Sequence, residues 1–522
     1  MGVYINPGNE GFRQIVADEY VDKTGLIALV NQTIGKPRPL VCVTRPRRFG
    51  KSYSAQMLVA YYCQGCESAP LFAGLEISDD PEFGRHLNAY HVVRLDLTSF
   101  TSNVGADVVP QLIQRLHDDL AREFPSIALP EGIDLALLEV VRETKRKIVF
   151  VIDEWDAPLR ESEGDERAKG RWVKFLRMLF KNASFTQEAV AAAYMTGILP
   201  IKKYGTQSAL SDFREYTMLD PSVYAPYAGF SETEVRTLCE LYDMDFASMR
   251  RWYDGYDLPG VGPVYAPNSV VEACRRHRFG SYWSSTESYT SLARYIQMDF
   301  DGLQGMVGDL IAGDRLPVNT LVFRNDMDDV QSVDDVLTLL AHLGYLAYEE
   351  DSQTVRIPNE EVRLEFAATI RVGGHPVLAQ MVADADRLLR STIEGDEDAV
   401  AAGVARAHDS RLGPDWYNDE QALRFAVKLA YLTAVDRFAE IEELPTGHGY
   451  ADVVYLPKRY ARIPAIVVEL KWNKPVESAL DQIRARNYPK VLAEYGGPLL
   501  LVGVTYDAKT KVHTCSIERM RV

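Results

Sequence analysis

The stretch Lys147–Asp156, KIVFVIDEWD, constrains the fold of this chain more than any other. Ile148 to Ile152 are apolar without interruption, and the run ends on Asp153 and Glu154. A strand that is apolar on both sides must be covered on both sides, as in a parallel sheet sandwiched between helices. Pro39–Thr44 and Val190–Gly197 repeat the pattern, and His91–Leu97 reads as a fourth buried strand. Amphipathic stretches such as Val108–Phe124 lie between them. Strands alternating with helices predict a doubly wound α/β domain over residues 1–215.

The segment after the first of these strands carries chemistry. Arg45–Ser54, RPRRFGKSYS, ends like the phosphate loop G-x-x-x-x-G-K-[ST] but has Arg45 where the first glycine belongs. In such a loop the backbone N–H groups face the phosphates, the lysine reaches the terminal ones and the following hydroxyl binds Mg²⁺. Arg47, Arg48, Phe49, Gly50, Lys51, Ser52 and Tyr53 are therefore the candidate ATP-binding residues. The competing reading is a basic turn that merely contains Gly-Lys-Ser, since the first turn of a phosphate loop often needs glycine's backbone room. The carboxylates closing Lys147–Asp156 favour the nucleotide. Asp153 is placed to hold Mg²⁺ and Glu154 to polarise an attacking water, the Walker B arrangement. Otherwise they are plain surface carboxylates at a strand end. Thr196, at the end of Val190–Gly197, is a candidate sensor of the γ-phosphate.

Residues 216–395 change character and read as a helical, winged-helix-like middle region. Ser231 with Glu234 three residues on is a capping box. Ser332–Asn359 reads as a helix and two short strands turning at Asp351–Ser352. Winged helices bind DNA or serve as packing modules, and the acids Asp334, Asp335, Glu349, Glu350 and Asp351 favour packing here.

Residues 396–522 read as a second α/β unit, with a helix at Asn418–Phe438 and strands at Ala451–Leu456, Ala465–Trp472 and Pro498–Asp507. Glu469 and Lys471, two apart on one strand, face the same side, and Asp452 starts the neighbouring strand. Two carboxylates suit Mg²⁺, which activates water and stabilises charge on a phosphate. A lysine beside them orients that water. This D…E-x-K set is the core of the PD-(D/E)XK nucleases. A buried Glu and Lys require an explanation, and a structural ion pair is the alternative one.

Composition bounds the partners. The net charge of −17 disfavours general binding to polyanions. Between Asp452 and Lys490, however, eight basic residues stand against four acidic ones, enough for local phosphate contacts. No apolar run is long enough to span a bilayer, and the N-terminus lacks a signal-peptide pattern. The six scattered cysteines, with one lone C-x-x-C at Cys63–Cys66, read as reduced thiols. A cytoplasmic protein without a membrane partner is the expectation.

An ordered series of motifs then resembles a known family. YVDKT (Tyr20–Thr24), TRPRRFGKS (Thr44–Ser52), VIDEWDAPL (Val151–Leu159), MTGILPI (Met195–Ile201), WYDGYDL (Trp252–Leu258), VYAPNSV (Val264–Val270) and IPNEEV (Ile357–Val362) occur in the order found in bacterial AAA-ATPase-like proteins with a C-terminal PD-(D/E)XK nuclease-like domain. The resemblance implies a P-loop NTPase-like core, a middle region and a restriction-endonuclease-like domain. It makes Arg45 the family's own form of the loop. It also implies that Lys23 lies near the nucleotide, that Glu443 is a further metal ligand, that Glu420 matches an acidic position, and that Gln482 lies beside the nuclease site. Trp155, Ala266 and Tyr450 depart from the family, which tends to have Tyr, Asn and Arg there. The activity implied is an ATP-dependent or ATP-regulated, Mg²⁺-dependent nuclease acting on DNA or RNA. The rival is a nucleotide-binding regulatory or interaction protein whose nuclease-like domain binds without cutting. Assembly into homo-oligomers is typical of AAA-type proteins. Lys202, Lys203 and Arg214 are candidates for a finger reaching a neighbouring subunit's nucleotide.

Overall fold

The computed structural model describes residues 2–105, 107–162, 164–201, 210–283, 286–298, 300–321, 323, 330–372, 376–409, 420–446, 449–458, 463–485 and 497–521. The chain forms two compact units, Met1–Trp283 with Pro317–Glu360, and Ser284–Leu316 with Glu361–Val522. Of the middle region read from sequence, 216–283 and 317–360 belong to the first unit, and 284–316 and 361–395 to the second.

The first unit is built on five parallel strands: β1 (Leu40–Thr44), β2 (His91–Asp96), β3 (Ile148–Asp153), β4 (Val190–Gly197) and β5 (Arg214–Tyr216). Their order is β2-β3-β4-β1-β5, and every pairing between neighbours is parallel. The apolar run of β3 serves both faces. Ile148, Phe150 and Ile152 enter one core with Trp172, Leu176 and Leu112. Val149 and Val151 enter the other with Leu58, Tyr62 and Phe12. Alternation across a fully covered strand leaves no polar position until the strand ends. β5 was not anticipated from sequence, because three half-exposed residues carry no apolar signal.

Ser231 caps the helix Glu232–Leu241 through the capping box with Glu234. Three short strands, Phe230–Ser231, Gly262–Tyr265 and Tyr256–Leu258, form a small antiparallel sheet. Ser332 caps the helix Val333–Leu343, and the hairpin Ala347–Glu349 with Thr354–Arg356 follows it. Two of the sequence motifs dock here. Asn359 Nδ2 donates to the Asp254 carbonyl at 2.7 Å, and Arg356 Nη2 donates to the Gly255 carbonyl at 3.0 Å. Gly255 has φ +114°, and a Cβ there would stand 2.0 Å from the Pro358 carbonyl oxygen. WYDGY and IPNEE are thus two halves of one contact.

The second unit carries a mixed sheet of β6 (Phe438–Thr446), β7 (Gly449–Pro457), β8 (Ala465–Trp472), β9 (Pro498–Asp507) and β10 (Val512–Arg521), in that order. Only the β8–β9 pairing is parallel. Ile466, Val468 and Leu470 of β8 face one core, while Ala465 and Val467 face Leu480 of the helix Val476–Ala485. β6 corrects the sequence reading. The helix expected over 418–438 runs from Glu420 to Ala430, a short 3₁₀ turn follows, and Phe438 opens a strand by burying its ring in the core. All six cysteines are free. Among the described residues no helix is long and apolar enough to cross a membrane.

Substituting Gly255→Ala should lower the thermal midpoint by about 5 °C or more, since a forced left-handed Cβ and a backbone overlap together cost about 3 kcal/mol. Unchanged thermal unfolding would contradict the docking of the two motifs.

Candidate functional site

The loop between β1 and the helix Lys51–Tyr62 is anchored by two of its own side chains. Arg45 is 2% exposed. Its guanidinium donates to the carbonyls of Thr44 at 2.7 Å, Tyr216 at 3.1 Å and Tyr224 at 3.4 Å. Its own N–H continues the β1–β4 ladder by bonding to the Gly197 carbonyl at 2.9 Å. The left-handed positions of the loop are Arg48 (φ 68°) and Gly50 (φ 79°), not Arg45. A glycine at residue 45 is therefore not required by backbone geometry. Phe49 is buried edge-on against Tyr256 at 5.3 Å and near Trp283 at 6.3 Å. Between these anchors, a Cβ on Gly50 would meet no atom within 4 Å. The space in front of the loop backbone is open, as a phosphate cradle requires. Arg48 and Tyr53 are exposed, and Arg47 is half-buried.

Lys51 and the acidic pair meet beneath this loop. Lys51 Nζ donates to the carbonyls of Arg45 at 3.1 Å and Pro46 at 2.9 Å, and pairs with Glu154 Oε1 at 3.1 Å. Glu154 Oε2 pairs with Arg160 Nη2 at 2.9 Å. Burial by itself raises the Glu154 pKa, but Lys51 and Arg160, with Arg47 adding to them, more than offset it and hold the carboxyl below its ordinary value. Glu154 also sits in a left-handed backbone conformation, φ 53°, the kind of local strain that concentrates at functional sites. Asp153 behaves oppositely. Burial pushes its carboxyl up to about 6, with the Glu154 charge adding to the rise and a hydrogen bond from Ser52 opposing it.

Three buried oxygens at this edge of the sheet lack a hydrogen-bond partner: Thr44 Oγ1, Asp153 Oδ1 and Thr196 Oγ1. They stand at the carboxyl ends of the adjacent strands β1, β3 and β4. Val43 is opposite Thr196, and Ile152 is opposite Met195, so the three are neighbours in register. Buried polar atoms without partners are rare and need a reason. Here the oxygen-rich edge suits Mg²⁺ held by Ser52 and Asp153, with phosphate on the loop above.

The residues after the acidic pair lock β3 to β4. Trp155 N–H donates to the Thr196 carbonyl at 2.9 Å, and its indole donates to the Leu199 carbonyl at 3.2 Å. Asp156 accepts from the N–H groups of Ile198 at 3.2 Å and Leu199 at 3.1 Å. A Cβ on Gly197 would stand 2.4 Å from Asp156 Oδ1. This contact ties VIDEWD to MTGILP. Thr44, Asp156 and Arg160 were missed from sequence. The position of Thr44 as the last residue of an apolar strand was the available signal.

Lys23 is committed elsewhere. Its ammonium pairs with Glu234 at 2.7 Å and donates to the Pro226 carbonyl at 2.9 Å. No residue of the phosphate loop is among those partners. Arg214 donates to the Arg38 carbonyl at 3.1 Å. Lys202 and Lys203 lie outside the described residues, as do the side chains of Glu420, Glu443 and Asp452.

In the second unit, Glu469 and Lys471 are both buried on β8. Lys471 Nζ donates to Glu469 Oε1 at 3.0 Å and to the Leu470 carbonyl at 2.9 Å. Gln482 also donates to Glu469 Oε1. The register places Val453 opposite Val468, so Asp452 and Glu469 are the next positions along the two strands. The pairs Glu442–Val453 and Leu444–Ala451 bracket Glu443 and Asp452 in the same way. Glu443, Asp452 and Glu469 thus occupy one row across three strands. Among the described residues, no three His, Cys, Asp or Glu side chains are grouped to hold a metal ion.

The buried Asp153 charge has a measurable consequence. A native carboxyl that titrates about 6 rather than near 3.8 binds its proton more tightly folded than unfolded. Stability therefore falls as pH rises through that window. In metal-free buffer Asp153→Asn should be more stable than the unaltered protein at pH 7.5, by about 3 kcal/mol at most, and equal to it at pH 4. Thermal unfolding at the two pH values measures this, and no gap at pH 7.5 would contradict it.

Comparison with known proteins places the loop and the acidic pair within one matched segment. The family model described as "Predicted AAA-ATPase" matches residues 8–206. Among solved structures, similarity extends to the Walker-type ATPase paby2304 of Pyrococcus abyssi, at 13% identity over 66% of this chain and 96% of that one, TM-score 0.33. It extends also to the Aeropyrum pernix ORC2 protein in ADPNP–ADP complexes, at 11% identity over 71% of this chain and 98% of that one, TM-score 0.33. A third is C. elegans PCH-2, at 13% identity over 64% of this chain and 67% of that one, TM-score 0.22. No curated protein matches the chain. Residues 8–206 match an AAA-ATPase-like domain and carry β1 to β4, four of the five strands of the parallel sheet.

Proposed function

We propose that this protein binds and hydrolyses ATP at the loop Arg45–Ser52, and that nucleotide state governs a metal-dependent nuclease site around Asp452, Glu469 and Lys471. The observation that carries the ATPase reading is the convergence of Lys51, Glu154 and the partnerless Asp153, Thr44 and Thr196 oxygens at the carboxyl ends of adjacent strands. In this reading the N–H groups of Gly50, Lys51 and Ser52 hold the phosphates. Lys51 turns from the Arg45 and Pro46 carbonyls to the terminal phosphate. Glu154 orients a water in line with the leaving oxygen and takes its proton, giving ADP and phosphate. Mg²⁺, held by Ser52 and Asp153, supplies charge neutralisation when bound. In this reading the Thr196 hydroxyl contacts the terminal phosphate.

The nuclease part rests on the row Glu443–Asp452–Glu469 and on the buried Glu469–Lys471 pair. Glu443, Asp452 and Glu469 would hold Mg²⁺, and Lys471 would orient the attacking water. The second reading, a nucleotide-controlled binding protein that does not cut, is favoured by one observation. Glu469 Oε1 already accepts from both Lys471 and Gln482, a satisfied pair that needs no metal. DNA or RNA is the proposed ligand in both readings, with a second copy of the chain as the proposed partner.

ATP binding measured by calorimetry should be lost in Lys51→Ala. It should persist in Glu154→Gln, while hydrolysis falls about 100-fold. With DNA and RNA substrates in Mg²⁺ or Mn²⁺, the pair Asp452→Ala with Glu469→Ala should abolish cleavage. Binding indifferent to Lys51→Ala would contradict the loop assignment. Cleavage surviving the paired change would contradict the nuclease, and substrate binding without any cleavage by the unaltered protein would favour the second reading.

A further inference from the structure

We infer that Arg160 is the positioning residue of the ATPase site, fixing the Glu154 carboxylate for its work on water; the inference rests on the hydrolysis reading above. Arg160 lies in the short helix Ala157–Glu161 that follows β3, and only 12% of its side chain is exposed. It spans two carboxylates: Nη2 to Glu154 Oε2 at 2.9 Å and Nε to Asp156 Oδ2 at 3.0 Å. The two oxygens of Glu154 are thereby divided, Oε1 to Lys51 and Oε2 to Arg160.

The two cations differ in what else calls on them. Lys51 lies on the phosphate loop, so phosphate bound there competes with Glu154 for its ammonium. Arg160 lies off that loop, on the helix after β3, and its fork geometry holds two acceptors in fixed directions. Asp156 is 0% exposed and is itself fixed by the Ile198 and Leu199 N–H groups at the exit of β4. The chain Leu199 N–H, Asp156, Arg160, Glu154 therefore ties the direction of the Glu154 carboxylate to the end of the strand bearing Thr196. A base needs a defined direction, and Arg160 supplies it.

The test is steady-state ATP hydrolysis by the full chain with Mg²⁺, together with ATP affinity. Arg160→Ala should lower kcat about 100-fold while leaving ATP affinity within about twofold. Arg160→Lys should recover part of kcat, since one ammonium replaces a fork. Combining Arg160→Ala with Glu154→Gln should add no further loss beyond Glu154→Gln alone. If Arg160→Ala does not fold, Arg160→Lys decides: kcat identical to that of the unaltered protein would overturn the inference. Losses that multiply in the double variant would overturn it too, since Arg160 would then act independently of Glu154. An unaltered protein that binds ATP but never hydrolyses it would overturn the hydrolysis reading itself, and the role of Arg160 with it.

Discussion

The parallel pairing of β4 between β1 and β3 is the constraint on which the site depends. β1 delivers the loop, β3 delivers the acidic pair and β4 holds them in register. Each strand is buried from end to end in two cores, so a shift of one residue would drive the whole apolar set out of place. The first polar positions each strand can carry are at its carboxyl end. Thr44, Asp153 and Thr196 are brought together for that reason, and Thr44 Oγ1, Asp153 Oδ1 and Thr196 Oγ1 are left without partners. Bonds beyond the ladder reinforce the alignment: Arg45 N–H to the Gly197 carbonyl and Trp155 N–H to the Thr196 carbonyl, both at 2.9 Å.

The arginine in place of glycine has a physical account. Residue 45 needs no left-handed backbone. Its side chain ties the loop to the chain beyond β4 by donating to the carbonyls of Tyr216 and Tyr224. Burial pulls the Arg45 guanidinium down to about 10, which still leaves it charged at neutral pH. Phe49 performs the complementary task at the other end by sinking into the core that contains Tyr256, Trp283 and Ala347. A loop pinned at both ends keeps its backbone N–H groups preorganised, and it couples their position to the WYDGY segment through Phe49.

The parallel sheet was legible because a two-faced strand leaves a continuous apolar run, and the loop because Gly-Lys-Ser follows one such run. The capping box at Ser231 and the helix with hairpin after Ser332 were legible for the same local reasons. What sequence could not reveal depends on distant contacts. Gly255 is needed because Pro358 lies against it, about a hundred residues on. Arg160 is significant only because Asp156 and Glu154 converge on it. β6 was hidden because Glu440, Glu442 and Glu443 break the apolar pattern on which strand recognition rests. Lys23, read through resemblance as a nucleotide neighbour, pairs with the capping-box glutamate Glu234, a contact between residues about two hundred apart.

The most direct measurement is a crystal structure of the full chain with Mg²⁺ and a non-hydrolysable ATP analogue. The account predicts phosphates against the N–H groups of Gly50, Lys51 and Ser52, with Lys51 drawn away from the Arg45 and Pro46 carbonyls. Density for Mg²⁺ should lie beside Ser52 and Asp153, and Glu154 should still be held by Arg160. A nucleotide bound away from this loop, or Lys51 unmoved from those carbonyls with phosphate present, would contradict it.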